Sequence, residues 1–234
     1  DDAIASYRKA VEVKPDFLMA HSNLGVALLR TGKADEAITS FRKALAIQPD
    51  FLDAQYNLGT VLSDQGKHDE AAACFRKVLA ISPKSSDVHC NLGVVLKKMG
   101  KFSEAADSFY KALSINPGVA EVHNNLGMVL AKLNRFDEAI ASYNKALSIN
   151  PKLADAHFNL GNTMRGLGKL EKAAASFRQA LAIKPELSEA TGTLGSVLLS
   201  MGDSQEGLAM EKKGFGVIEF STNRGVSINQ GSSQ

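Results

Sequence analysis

Proline recurs in this chain at a fixed interval, and that interval constrains the fold more than any other feature of the sequence. The six prolines are each separated from the next by 34 residues, and they are Pro15, Pro49, Pro83, Pro117, Pro151 and Pro185. A fixed period of about 20–50 residues is typical of proteins in which one small structural unit is stacked on copies of itself. The sequence therefore predicts a repeat protein.

Two helical patterns alternate within each repeated unit. In the first complete unit, Leu24, Gly25 and Leu28 mark the first pattern, and Ala37 with Phe41 marks the second. Spacings of three and four residues place such side chains on one face of a helix. Both patterns recur in the following units, so the sequence predicts a pair of amphipathic helices in each of them.

Glycine has two expected roles in these pairs. Residues that tolerate the left-handed conformation, which commonly ends a helix, stand between the two patterns at Gly32, Gly66, Gly100, Asn134 and Gly168. Inside the first pattern, glycine costs about 1 kcal/mol relative to alanine. It nevertheless recurs there, at Gly25, Gly59, Gly93, Gly127, Gly161 and Gly195. We expect the bare backbone to let the aromatic ring of the second helix pack closely against the first.

Composition excludes several functional classes. Of the 234 residues, 44% are hydrophobic and 22% are charged, which is ordinary for a globular protein. The formal net charge is only +2, and no run of basic residues indicates a nucleic-acid surface. No apolar run approaches the roughly 18 residues of a membrane-spanning helix. With only Cys74 and Cys90 present, we predict no disulfide framework and a cytoplasmic location.

The combination of Asn-Leu-Gly, a later alanine, an aromatic residue, another alanine and a closing proline resembles the tetratricopeptide repeat (TPR). The resemblance covers residues 1–201. It implies an all-α fold, a right-handed α-solenoid (TPR superhelix) of antiparallel helix pairs whose first helices line a concave groove.

The resemblance also divides the chain. Residues 1–17 correspond to the second helix of a truncated repeat, 18–187 to five complete units, and 188–213 to a degenerate sixth repeat. Residues 214–234 follow as a tail, in which two short apolar runs about a turn predict a β-hairpin-like or irregular segment. We interpret the chain as a fragment of a longer protein, with the tail as a possible start of another domain.

Places within a complete unit are counted from its first residue, which is residue 18, 52, 86, 120 or 154. The sixth place of each complete unit holds an asparagine, and this series is Asn23, Asn57, Asn91, Asn125 and Asn159. A carboxamide has one acceptor oxygen and two N–H donors, so it can hydrogen-bond the backbone of an extended peptide whatever its sequence. The series resembles the asparagine ladder in the repeats of O-linked N-acetylglucosamine transferase, which implies peptide binding. The other interpretation, that each asparagine only bonds a neighbouring helix, stays open.

Residues beside the asparagines are predicted to modulate selectivity, and they are Tyr56, Phe158, Lys98, Lys132 and Arg165. Acidic residues occupy the second place of the units, and basic residues lie toward the other end of the first helices. This arrangement predicts a ligand with separated charges.

Histidine occupies the fourth place of four units, at His21, His89, His123 and His157. Packed helices have axes about 8–10 Å apart, whereas zinc needs each nitrogen about 2.0–2.1 Å from one ion. Equivalent histidines therefore cannot share a metal, and we expect each to pack against the preceding proline turn.

The sequence contains no phosphate loop, nucleophile elbow or paired carboxylates outside the repeat pattern. It predicts a non-catalytic protein–protein interaction scaffold, without cofactor or metal, that binds an extended peptide or partner segment. The alternative is the substrate-recruiting TPR region of a larger enzyme, for example a glycosyltransferase, whose catalytic domain is outside this chain. A third prediction is self-association through uncapped repeat ends.

Overall fold

The computed structural model describes residues 2–215, 217–219 and 227–229. Over these residues the chain forms a succession of helices, followed by two short strands. The helices are α1 (Asp2–Val13), α2 (Leu18–Arg30), α3 (Ala34–Ile47), α4 (Leu52–Asp64), α5 (His68–Ile81), α6 (Ser86–Lys98), α7 (Phe102–Ile115), α8 (Ala120–Lys132), α9 (Phe136–Ile149), α10 (Ala154–Gly166), α11 (Leu170–Ile183), α12 (Ser188–Ser200) and α13 (Ser204–Phe215). The even-numbered helices are the first helices of the pairs, and the predicted all-α class is confirmed.

A short turn joins the two helices of each pair, and its middle residue has a positive φ. The values are 75° at Gly32, 77° at Gly66, 74° at Gly100, 59° at Asn134, 70° at Gly168 and 92° at Gly202. In the first of these turns, the N–H of Lys33 donates to the carbonyl of Leu28 at 3.0 Å, which satisfies a carbonyl at the helix end. The predicted helix-ending role is confirmed for the first five of these residues, and Gly202 has the same role without having been predicted. So short a turn makes the paired helices antiparallel.

Glycine and an aromatic ring meet where the two helices of a pair contact each other. A Cβ atom placed on Gly25 would lie 2.5 Å from Cε1 of Phe41, and one placed on Gly161 would lie 2.7 Å from Cε1 of Phe177. Carbon atoms in favourable contact lie about 3.5–4.0 Å apart, so a methyl group would overlap either ring. Phe41 and Phe177 are both 0% exposed. The predicted packing is confirmed for these pairs.

The last pair, α12 with α13, corrects this expectation for Gly195. No aromatic ring of α13 faces Gly195. A Cβ atom on Gly195 would instead lie 2.5 Å from the backbone nitrogen of Glu211. On the facing helix, a Cβ atom on Gly207 would lie 2.7 Å from Cγ of Leu199. Glycine on both helices therefore brings the backbones together, and Ser196 Oγ donates to Glu211 Oε1 at 2.6 Å beside them. The sixth pair forms although its sequence pattern has decayed.

The chain divides into two compact units, Asp1–Pro117 and Gly118–Gln234, each of which contains several of the repeated helix pairs. The terms first unit and second unit refer from here on to these two parts of the chain. In the first unit, helices α1 to α7 stack so that each second helix packs on the first helix of the next pair. Helices α8 to α13 stack in the same way in the second unit. Each unit is thus a solenoid of helix pairs, whereas the repeat boundaries at 17/18, 187/188 and 213/214 stay predictions.

Ion pairs join consecutive second helices on the outside of each stack, between an arginine and a glutamate 28 residues later. They are Arg8–Glu36 at 2.6 Å, Arg42–Glu70 at 2.7 Å and Arg76–Glu104 at 2.9 Å in the first unit, and Arg178–Glu206 at 3.2 Å in the second. Their side chains are about half exposed, so each pair contributes only about 0.2–1 kcal/mol.

The described part of the tail forms two antiparallel strands, β1 (Val217–Glu219) and β2 (Ser227–Asn229), with Ile218 paired to Ile228. The predicted hairpin-like tail is confirmed, while its turn and the end of the chain lie outside the described residues. Across the described residues, every helix is too short or too polar to traverse a lipid bilayer. The cytoplasmic location stays a prediction.

Candidate peptide-binding site

The first helices of neighbouring pairs contact each other within each unit. Helix α4 contacts both α2 and α6 in the first unit, and α10 contacts α8 in the second. We call the surface formed by these helices the first-helix face of each unit. It brings together Asn23, Asn57, Asn91, Tyr56 and Lys98 in the first unit, and it brings together Asn125, Asn159, Phe158, Lys132 and Arg165 in the second.

The five asparagines of the series are all partly buried. Each stands one residue before a leucine that is at most 9% exposed, at Leu24, Leu58, Leu92, Leu126 and Leu160. Because successive residues of a helix point about 100° apart, the asparagine lies at the edge of the apolar stripe. The repeat pattern therefore explains why all five asparagines are partly buried and occupy the same position on their helices.

Two of the asparagines each donate one hydrogen bond to the preceding first helix. Asn91 Nδ2 donates to the Tyr56 hydroxyl at 3.0 Å, and Asn159 Nδ2 donates to Asn124 Oδ1 at 3.0 Å. The two acceptors occupy the same place in their units, 35 residues before the donor. Since a carboxamide has two N–H groups and an oxygen, each bond uses only part of its capacity. The bond to a neighbouring helix is therefore observed for Asn91 and Asn159, while peptide binding by the series stays a prediction.

Among the described residues, neither Asn23 nor Asn57 has a side-chain hydrogen bond. Asn125 has an interaction of its own. At the end of the series, Thr193 stands in the equivalent place and is 5% exposed. The five asparagines are consequently not equivalent in the hydrogen-bonding capacity that they present.

The two aromatic candidates are fixed by rings of the second helices. The centroid of the Tyr56 ring lies 6.0 Å from that of Phe75, with the planes inclined by 57°. The centroid of the Phe158 ring lies 5.7 Å from that of Phe177, with the planes inclined by 52°. Aromatic pairs at these separations and tilts attract one another, so both rings are held in place while remaining partly exposed.

The basic candidates lie at the C-terminal ends of first helices, where cations interact favourably with the helix dipole. Lys98, Lys132 and Arg165 are exposed. Their neighbour Lys97 is partly buried, and burial lowers the pKa of its amino group, with a smaller contribution from the adjacent charge of Lys98. The acidic residues at the second place are exposed as well, and Asp155 pairs with Lys184 at 3.3 Å.

Histidines at the fourth place bond to the preceding proline, as the sequence predicts. The Nε2 atoms of His21, His89 and His157 lie 2.7, 2.9 and 3.1 Å from the carbonyl oxygens of Pro15, Pro83 and Pro151. A carbonyl oxygen only accepts, so Nε2 carries the proton in each bond. These rings fasten the start of a first helix to the turn before it.

The sequence matches the family of the tetratricopeptide repeat over residues 16–84, 50–117, 86–152 and 118–186. These matches together span more than half of the chain, and the chain therefore belongs to the tetratricopeptide repeat family. Comparison with curated proteins returned no match.

Solved structures with the same fold include YrrB, described as a TPR protein with an unusual peptide-binding site. The two chains are 27% identical with a TM-score of 0.69, and the match covers 79% of this chain and 95% of YrrB. MamA is 25% identical with a TM-score of 0.67, over 71% of this chain and 97% of MamA. PilW, a type IV pilus biogenesis factor, is 22% identical with a TM-score of 0.74, over 84% and 91% of the two chains, and this likeness shows the fold alone.

Proposed function

We propose that this chain is a non-catalytic protein–protein interaction scaffold whose asparagine series binds the backbone of an extended peptide on the first-helix face. One observation carries the proposal: partly buried carboxamides stand at the same place on adjacent helices and retain hydrogen-bonding capacity. At Asn91, the bond to Tyr56 leaves Oδ1 and one N–H without a partner among the described residues.

The spacing of the series suits an extended chain. Axes of packed helices lie about 8–10 Å apart, and an extended strand rises about 3.3 Å per residue. Successive asparagines would therefore meet peptide groups about three residues apart. The likeness to YrrB, which is described as having a peptide-binding site, supports the same class of ligand.

The test compares a double variant, Asn57→Ala with Asn91→Ala, with the control Asn144→Ala, an exposed asparagine on the second helix α9. Peptides are first selected from a random 12-residue display library on the unchanged protein, and their affinity for each variant is then measured by calorimetry. Each lost hydrogen bond is worth about 0.5–1.5 kcal/mol, so we expect the double variant to bind roughly tenfold more weakly. Equal affinity of the unchanged protein, the double variant and the control would refute peptide binding by the asparagine series.

Self-association through the α1 end is a second proposal, because α1 exposes residues that the other pairs bury. Ala3 is exposed and Tyr7 only partly buried, whereas the equivalent Ala37 and Phe41 are both 0% exposed. Val13 on the same helix is 78% exposed. We expect sedimentation equilibrium to show dimers that Tyr7→Lys abolishes, and a monomer at high concentration would contradict this proposal.

A further inference from the structure

A small cavity lies between α4 and α6, directly beside Asn91, on the first-helix face of the first unit. Its volume is about 140 Å³, and its lining includes Thr60, Asp64, Phe75, Asn91, Val94 and Lys98. Phe75 and Val94 give it an apolar floor, while Asp64 comes from one helix and Lys98 from the next. Two opposite charges therefore flank a cavity that also contains a ladder carboxamide.

Asp64 departs from the pattern of its own repeat. It is the last residue of α4, whereas the last residues of α2, α6 and α8 are the cations Arg30, Lys98 and Lys132 and those of α10 and α12 are the uncharged Gly166 and Ser200. Among the described first helices, α4 alone ends in a carboxylate. The C-terminal end of a helix carries a partial negative charge, so a carboxylate there is unfavourable. Local conflicts of this kind occur mainly at functional sites.

No compensating partner for this carboxylate is found among the described residues. Neither Asp64 nor Lys98 forms a salt bridge there, and both side chains are exposed. Asp64 is therefore not part of a structural ion pair, unlike Asp155, which pairs with Lys184. Its charge and that of Lys98 remain available to a ligand.

We propose that this cavity is a recognition pocket for an extended peptide that carries a basic and an acidic side chain two residues apart. The basic side chain pairs with Asp64, the acidic one pairs with Lys98, and Asn91 bonds the peptide backbone between them. The inference rests on the proposed function, and it adds a charge order and hence a direction to the bound peptide.

Distances favour this spacing of charges. Residues two apart in an extended chain lie about 6.6–6.8 Å apart on the same side, and adjacent helix axes lie about 8–10 Å apart. Long side chains such as lysine, arginine and glutamate cover the remaining distance, and their aliphatic stems pack on the apolar floor of the cavity. Residues one or three apart would place one of the two charges on the far side of the peptide.

The test exchanges the two charges while keeping the net charge. The double variant Asp64→Lys with Lys98→Asp is compared with the unchanged chain, and Asp16→Lys with Lys33→Asp serves as the matched control, since both of these residues are exposed and lie outside the first helices. Each protein is used to select peptides from a random 12-residue display library. Two synthetic peptides that differ only in the order of one basic and one acidic residue are then titrated into each protein.

We expect the unchanged chain and the control to prefer one charge order by roughly tenfold, and the exchanged variant to prefer the reverse order. The same preferred charge order in all three proteins, or no preferred order in the unchanged chain, would refute the proposed recognition pocket. Asn91→Ala separates the two proposals. Weaker binding to Asn91→Ala, together with an exchanged variant that keeps the charge order of the unchanged chain, rejects the pocket and keeps the binding role of the asparagine series. Failure of the library to yield any binding peptide rejects both.

Discussion

Helix α10 contains two glycines with opposite surroundings, and they allow a sharp test of how the pairs pack. Gly161 lies in the middle of the helix against Phe177, whereas a Cβ atom on Gly166, at the end of the same helix, would meet no atom of the described residues within 4 Å. Neither residue needs a positive φ. Substitution by alanine therefore raises helix propensity at both positions. The two substitutions differ only in the steric contact that the new methyl group makes.

The magnitude follows from the contacts. At Gly161 the new methyl carbon would lie 2.7, 2.8 and 3.0 Å from three atoms of the Phe177 ring, which is 0% exposed and cannot move into solvent. Overpacking of this kind costs about 1–3 kcal/mol, against a propensity gain of up to about 1 kcal/mol. We expect Gly161→Ala to be destabilising and Gly166→Ala to be neutral or stabilising, with a difference of about 2 kcal/mol.

Urea unfolding followed by circular dichroism measures this difference. A double variant, Gly161→Ala with Phe177→Leu, provides the control, because a smaller side chain leaves room for the methyl group. Its loss of stability should be smaller than the sum of the two single losses. If Gly161→Ala stabilises the protein as much as Gly166→Ala does, the ring is not what requires glycine, and the explanation of the repeated glycines is refuted.

Two titratable groups give further predictions. Burial raises the pKa of Tyr143 to about 12, against a smaller lowering by its hydrogen bond with Thr163. An unfolded tyrosine ionises near pH 10, so we expect stability to hold below about pH 10 and then to fall by up to about 2 kcal/mol as the pH rises to 12. Tyr143→Phe should lack this part of the loss in alkaline urea titrations, and identical pH profiles would contradict the assignment. Burial likewise raises the pKa of the Cys74 thiol, whereas Cys90 is partly exposed. A chromogenic thiol reagent should therefore modify Cys90 in the folded protein and Cys74 only after unfolding, and equally fast modification of both would contradict the buried position of Cys74.

The repeat made most of the fold predictable from the sequence. Leu24 and Leu28, spaced by four residues, determine the buried face of a first helix, and Gly32 determines where that helix ends. Such features are local, so they are visible in the sequence without knowledge of the neighbours. The pair α12 and α13 is different, because Gly195 and Gly207 act together across two helices. Each glycine alone indicates only a weakened helix.

Long-range contacts between units of the repeat were the features that the sequence patterns left open. Arg42 and Glu70 stand 28 residues apart, and each also fits a simpler role near the end or start of its own helix. Asp64 makes no such contact among the described residues, but its reversed charge also becomes visible only by comparison with Arg30 and Lys98 at the same place in neighbouring first helices. Alignment of the units by place, followed by a search for a residue of reversed charge, would have found it.

The neighbours of the asparagines explain why the same residue at the same place in the repeat differs in its hydrogen bonds. The side chain 35 residues before Asn91 is a tyrosine hydroxyl, and the one before Asn159 is a carboxamide oxygen. A hydroxyl that accepts one bond still has a proton to donate, and Tyr56 is partly exposed. The Asn124 carboxamide keeps two N–H groups of its own, but this side chain is only 8% exposed. Under the proposed function, a peptide carbonyl near Asn91 would meet donors from both Asn91 and Tyr56. Variation at this neighbouring place therefore changes the hydrogen bonds offered along the first-helix face while the asparagine itself stays the same.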